Sequence, residues 1–281
     1  MEIIGIIIGT LTLLLAGFAI YFPIYYSKRV SALILKEKNT EDFNGAINLY
    51  FDRIPDEQRI PPDHLEKSLK KEISAGSKRE FRKRVKRGDK IVHLPIISKC
   101  EGDIIGFLKA IYVKEGHFLF ISYLISKSFK ELESSMVTNK MIKMMKQCID
   151  DLKNIDFVVY EITIDNDGHH KSKERLFKHI SRLNNLKSYY LIADYKIPEI
   201  CSFDEGECDI YDANLFLTPI KEDINKITKT EYLNFVKSIY KNIYLETYVV
   251  SEPELVENYK TFIDMIISDT EKKTDELIKL K

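Results

Sequence analysis

From Ile3 to Ile24 the chain reads IIGIIIGTLTLLLAGFAIYFPI without a single charge, and this restricts what its first segment can become. At about 1.5 Å per residue, a helix of roughly 20 residues crosses the hydrocarbon layer of a bilayer. Tyr21, Phe22, Tyr25 and Tyr26 cluster at the far end of the run, where aromatic rings favour the membrane interface. Lys28, Arg29, Lys36 and Lys38 follow it, whereas Glu2 precedes it, so the charge bias places the rest of the chain on the cytoplasmic side. A cleaved signal peptide would bring a basic leader and a small-residue cleavage site, which the segment lacks. The expectation is a single-pass anchor over residues 1–27 in an inner or plasma membrane, a juxtamembrane linker over 28–41, and a cytoplasmic body.

Over the whole chain of 281 residues Lys+Arg and Asp+Glu both number 43, a balance that argues against a dedicated nucleic-acid binder. Cys100, Cys148, Cys201 and Cys208 are scattered without a CxxC pair; Cys201 and Cys208 are close enough to pair, but a cytoplasmic body keeps them reduced. Asp42 stands where it would cap a helix through GAINLYFDRI, and a second helix begins near Pro62 or Asp63. After the basic stretch 77–90, KIVHLPIIS, DIIGFLKAIYV and FLFISYLIS alternate with the turn signals CEGD and KEGH and predict an antiparallel meander. A helical period follows from Glu131 to about Asn154, with a methionine stripe at Met136, Met141, Met144 and Met145 that suits packing. Next come the strand DFVVYEITI, the polar turn DNDGHHKS, the helix KERLFKHISRL and two closing strands, SYYLIADY and NLFLTPI. The segment 221–281 is charged and helical in period and breaks at Ser251–Pro253; its helices are expected to cover a sheet edge or to meet a protein partner. A long helix between two strands normally makes a parallel crossover, so the fold class is α+β with a mixed, mostly antiparallel sheet flanked by helices.

Over residues 42–220 this order resembles the GNAT N-acetyltransferase superfamily. LYFDRIPDEQRIPPDHLEKSL is similar to the opening helices of a bacterial branch, GDIIGFLKAIYV to its Gly-Phe strand, FLFISYLIS to its cofactor strand, and YYLIADYKIPEI with ANLFLTPI to its closing strands. The resemblance implies acyl transfer from acetyl-CoA or another acyl-CoA to an amine. The thioester would lie between the fourth and fifth strands, against the backbone near Ser122, Leu124 and Ile125. The CoA diphosphate would lie at the start of the long helix, the usual anion site at a helix N-terminus. There the family's arginine falls at Glu133 and its glycines near Ser134, Met136 and Thr138. A carboxylate repels a diphosphate and side chains crowd the backbone; Ser134, Ser135 and Thr138 would have to offer hydroxyls instead. The tyrosine that protonates the departing thiolate in many members corresponds to Leu176–Phe177, and a phenyl ring has no proton to give.

Three other features bear on chemistry. Eight of the fourteen residues 77–90 are Lys or Arg. They read as a solvated connector or, beside an anchor, as an anionic-lipid contact over Lys78–Lys90 at about 1 kcal/mol per cation. The turn Asp165–His170 fails the calcium-loop pattern, because Gly168 is fourth rather than sixth and Leu176 stands where the closing glutamate belongs; no metal is expected. Glu161 is placed by topology to act as general base, and its ordinary alternative is a solvent-facing strand position between Tyr160 and Ile162. Two readings follow: a GNAT-like module at the membrane that binds a ligand or protein without ordinary catalysis, or an active N-acyltransferase.

Overall fold

The structure, a computed structural model, describes residues 29–36, 40–55, 59–60, 62–69, 74–127, 131–164, 169–198, 210–221, 224, 226–248 and 253–281. The anchor expected at Ile3–Ile24, the turn 165–168 and the cysteines at 201 and 208 lie outside them. Among the described residues no helix is long and apolar enough to cross a membrane.

Strand β1 (Val30–Ile34) occupies part of the stretch expected as a linker and pairs antiparallel with β2, Val30 opposite Cys100. Five residues between charges give too short an alternation to stand out in the sequence, and it is pairing with β2 that makes them a strand. Helix α1 (Glu41–Arg53) is capped by Thr40, whose hydroxyl accepts the Phe43 N–H at 3.3 Å. The expected cap, Asp42, lies instead in the first turn and pairs with Lys99 at 2.6 Å. The short α2 (Pro62–Ser68) follows, and then α3 (Lys78–Arg87).

Helix α3 corrects the reading of the basic run as a connector. Ser77 caps its start and Gly88 ends it at φ +87°, a left-handed conformation that glycine adopts without a Cβ penalty. Phe81 and Val85, four apart, share its buried face. Arg82 donates to the carbonyls of Cys148 at 3.1 Å, Gln147 at 3.0 Å and Asp150 at 2.6 Å, satisfying groups that the end of the long helix leaves open.

Strands β2 (Ile91–Cys100), β3 (Asp103–Val113) and β4 (Phe118–Ser126) form the expected meander. Helix α4 (Glu131–Ile149) then crosses to β5 (Phe157–Thr163), which lies parallel to β4. Helix α5 (His169–Leu183) leads to β6 (Tyr189–Tyr190), β7 (Tyr195–Pro198) and β8 (Ile210–Pro219); β8 pairs with β5 on one side and with β6 and β7 on the other. The sheet runs β1-β2-β3-β4-β5-β8-β6, with β4–β5 its parallel pair. This is the mixed, mostly antiparallel α+β architecture read from the sequence.

Residues 221–281 are less purely helical than expected. They contain β9 (Lys226–Thr228), α6 (Lys229–Ile239), a π-helical segment (Tyr240–Tyr248), α7 (Pro253–Lys273) and β10 (Leu277–Lys279), with β9 and β10 paired. Thr228 and Glu231 close a capping box at the start of α6. The backbone of Lys281 exchanges two 3.0 Å hydrogen bonds with Tyr190, so this segment does cover the β6 edge.

Both faces of the sheet are buried. On the first, Leu108, Ala110 and Tyr112 of β3 meet Met141, Met145 and Ile149 of α4. A Cβ placed on Gly106 would lie 2.5 Å from Val137 Cγ1, so that glycine lets α4 approach β3 closely. On the second, Phe107, Ile111 and Phe120 meet α1, α6 and the π-helical segment. Phe235 of α6 packs edge-on against Phe118 and Phe157, with ring centroids 5.8 and 5.3 Å apart.

Candidate active site

Strands β4 and β5 pair only over Phe118–Ile121 and Phe157–Tyr160. Beyond Ile121 they part. At the same place the β3–β4 register slips: Lys109 faces Tyr123 while Ala110 faces Ile121, so Ser122 is the extra residue of a bulge. A bulge twists its strand and re-aims the residues around it. The parted strands enclose a cavity of about 250 Å³, lined by Phe120–Leu124 of β4, Tyr160–Thr163 of β5, Leu176 and Phe177 of α5, and Tyr244 of the π-helical segment. Ile54, Lys173, Ile197, Pro198 and Tyr211 complete it.

Glu161 lines this cavity. Alternation along β5 turns Tyr160 and Ile162 toward the face covered by α4 and turns Val159 and Glu161 toward the other. In a sheet with one wet face Glu161 would meet solvent. Here the second face is covered too, so the carboxylate is enclosed by Tyr195 and Tyr244, which both donate their hydroxyls to it, Tyr195 at 2.5 Å. Burial raises its pKa to about 7, against the opposing effect of the two tyrosine hydrogen bonds. It is therefore a carboxylate that exchanges a proton near neutral pH.

The tyrosines are themselves fixed. Tyr195 stacks on Tyr240 with centroids 5.9 Å apart, and Tyr240 meets Tyr244 edge-on at 6.0 Å. Tyr240 and Tyr232 donate to the carbonyls of Lys196 at 2.5 Å and Asp194 at 2.8 Å, which holds β7 against the C-terminal helices. On the opposite wall, Phe177 stacks on Tyr160 at 4.1 Å and Tyr160 on Phe216 at 4.9 Å. Behind the β4 wall lies Lys109, fully buried, its ammonium 5.9 Å from the Tyr123 ring centroid and its pKa lowered by burial to about 7.

Of the residues expected at the site, Glu161, Ser122 and Leu124 line the cavity, as do Leu176 and Phe177. Ile125 is one step further along β4 and is buried in the core. Ser134, Ser135 and Thr138 do not reach the cavity, and Thr138 does not offer its hydroxyl outward. It donates to the Ser134 carbonyl at 2.7 Å, the local back-bond that serine and threonine make inside helices. Ser135 is buried beside it. Helix α4 starts at Glu131, where its period predicts, so all three lie within its first turns. Sequence reasoning missed Tyr195 and Tyr244, which lie 34 and 83 residues after Glu161 and carry no local signal of their partner.

No protein-family model and no curated protein matches the chain. Among solved structures it is similar to a probable acetyltransferase from Staphylococcus epidermidis, at 13% identity over 69% of this chain and 99% of that one, with a TM-score of 0.44. It is also similar to a ribosomal alpha-N-protein acetyltransferase in complex with coenzyme A, at 12% identity over 69% and 96% of the two chains, TM-score 0.42. A third is the aminoglycoside 6′-N-acetyltransferase from Enterococcus faecium, at 9% identity over 69% and 99%, TM-score 0.40.

Proposed function

We propose that this protein is a GNAT-like N-acyltransferase that moves an acyl group from an acyl-CoA to an amine in the cavity between β4 and β5. The observation that carries this reading is the enclosed Glu161, held by two tyrosine hydroxyls inside the opening between parallel strands. The mostly apolar cavity fits the acyl-thioester end of the donor, and Ser122–Leu124 with Leu176 and Phe177 would hold it. When bound, the donor supplies an activated carbonyl. Glu161 takes a proton from the incoming ammonium, which leaves the amine free to attack the donor carbonyl; as the C–N bond forms the C–S bond would break, and the CoA sulfur would leave as a thiol with the second proton lost by the nitrogen. Tyr195 and Tyr244 orient the Glu161 carboxylate and stabilise its charged form. The aromatic walls exclude water, which would otherwise compete for the acyl group.

The test is release of CoA thiol by the full chain in detergent micelles, with acetyl-CoA and a panel of amines. Amine-dependent release supports the reading. A folded protein that neither binds acetyl-CoA nor releases thiol overturns it. That result would favour the second reading, a non-catalytic ligand-binding module, which draws on the Phe177 ring stacked where the resemblance calls for a tyrosine hydroxyl.

We propose further that the body is tethered to the cytoplasmic face of a membrane through Ile3–Ile24, with α3 toward anionic headgroups. The support is the apolar run itself and the exposure of Lys78, Arg79, Lys83, Lys86 and Lys90 beside the buried Phe81 and Val85. In nanodiscs, anionic lipid should slow chemical modification of Lys83 and Lys86 relative to neutral lipid; equal rates would sink the lipid contact.

A further inference from the structure

The walls of the cavity restrict what can occupy it. Glu161 is the one acidic residue among the described residues that line it, and Lys173, the one basic residue, lies exposed on α5. Four tyrosines, Tyr123, Tyr160, Tyr211 and Tyr244, contribute to the lining, and most of the remainder is aliphatic or phenyl.

Each of these facts excludes a class of guest. A carboxylate or phosphate placed beside Glu161 would meet a like charge in a low-dielectric setting. A polyamine would bring a second ammonium, for which the described residues of the lining offer no second carboxylate, and burying an unpaired charge is costly. A peptide would bring amide groups that need partners along its length, and at about 250 Å³ the cavity lies below the ~300–1,000 Å³ usual for drug-sized ligands. An ammonium, by contrast, finds a carboxylate to pair with and tyrosine rings whose negative faces attract cations. Its carbon body finds apolar walls.

We infer that the site takes a small primary monoamine with an apolar or aromatic body, the ammonium paired with Glu161 and the body against the tyrosine-rich walls. Naming this guest the acyl acceptor rests on the acyl-transfer reading; its binding does not, and can be measured without any acyl donor.

The experiment is calorimetric titration of the full chain in detergent micelles at pH 8, where Glu161 is ionised, with phenethylamine, phenethyl alcohol, phenylacetate and spermidine. Phenethylamine should bind at one site, at least tenfold tighter than each of the other three. Glu161→Gln should weaken phenethylamine at least tenfold and leave phenethyl alcohol unchanged. The alcohol comparison uses the unaltered protein, so the inference stays testable if the variant does not fold. Equal binding of amine and alcohol, or tighter binding of spermidine, would overturn the inference. Phenethylamine binding without thiol release on adding acetyl-CoA would uphold this guest and overturn acyl transfer. Thiol release with spermidine but not phenethylamine would do the reverse.

Discussion

The two faces of the central sheet are buried to a similar degree by different means. On the face covered by α3, α4 and α5 the contacts are largely apolar: Leu108, Ala110 and Ile121 against Val137, Met141 and Met145, with Gly106 admitting the helix closely. On the face covered by α1, α6 and the π-helical segment, the core also holds the buried Lys109 and is bordered by Glu161, which opens on the cavity, both with pKa values displaced to about 7. Burying such groups opposes folding unless partners compensate. For Glu161 the partners are the Tyr195 and Tyr244 hydroxyls, themselves held by a network of ring contacts and carbonyl bonds. The first face behaves as a scaffold, and the second carries the chemistry on that scaffold.

Substitutions on each face test this division. The largest effect should come from Glu161→Gln, which keeps the shape of the side chain and removes the base: amine-dependent transfer should fall by about 10²–10⁴-fold, read as kcat/KM by thiol release. An unchanged rate would move the chemistry elsewhere. Phe235→Ala, which unpins α6 from Phe118 and Phe157, should cost about 3–5 kcal/mol in urea unfolding. If it cost less than about 1 kcal/mol, the C-terminal segment would not be an integral cover for the second face.

The pH dependence of stability separates the faces next. The folded pKa of Glu161, about 7, is raised above its ordinary 4.5, so the native state binds the proton more tightly than the unfolded chain. Its contribution is therefore most favourable below pH 4.5 and declines as pH rises from 4.5 to 7, by an amount on the order of 3 kcal/mol. Glu161→Gln should flatten urea-unfolding free energies across that window, whereas scaffold-face variants should leave the slope alone. Gly106→Ala should push α4 from β3 and cost about 1–3 kcal/mol with no change in that slope. The smallest effect is expected from Tyr244→Phe. Losing a hydrogen bond that favours the charged carboxylate should move the acidic limb of the rate profile upward by about one pH unit. A downward shift would mean that Tyr244 serves the protonated form.

What was legible in the sequence follows the same division. The meander, the crossover helix and β5 appear as runs of regular period, because each is specified by local alternation and turn chemistry. The resemblance implies a donor between β4 and β5 and aligns Leu176–Phe177 with the family's tyrosine; a cavity lies between those strands, and both residues line it. Alternation also separated Glu161 from Tyr160 and Ile162, but the step from there to solvent exposure required knowing whether the other face was covered. That cover comes from α6 and the π-helical segment, and a helical period does not state what a helix packs against. The helical period already starts α4 at Glu131, but a period does not say where a hydroxyl turns: Thr138 bonds back to the Ser134 carbonyl inside the helix. In the basic run the density of charge masks the spacing of Ser77, Phe81, Val85 and Gly88, which is that of a capped amphipathic helix.

Tyr195 and Tyr244 reach Glu161 across 34 and 83 residues of sequence. Closing loops of this length costs entropy before the contact gives any gain. Until the second face is covered, Glu161 faces water and is ionised at pH 6; once burial outweighs the two tyrosine hydrogen bonds, it is mostly protonated. Docking of β7 and the C-terminal helices over Glu161 thus takes up a proton there, and a stopped-flow experiment with a pH indicator would see the site being completed as a small alkaline pulse.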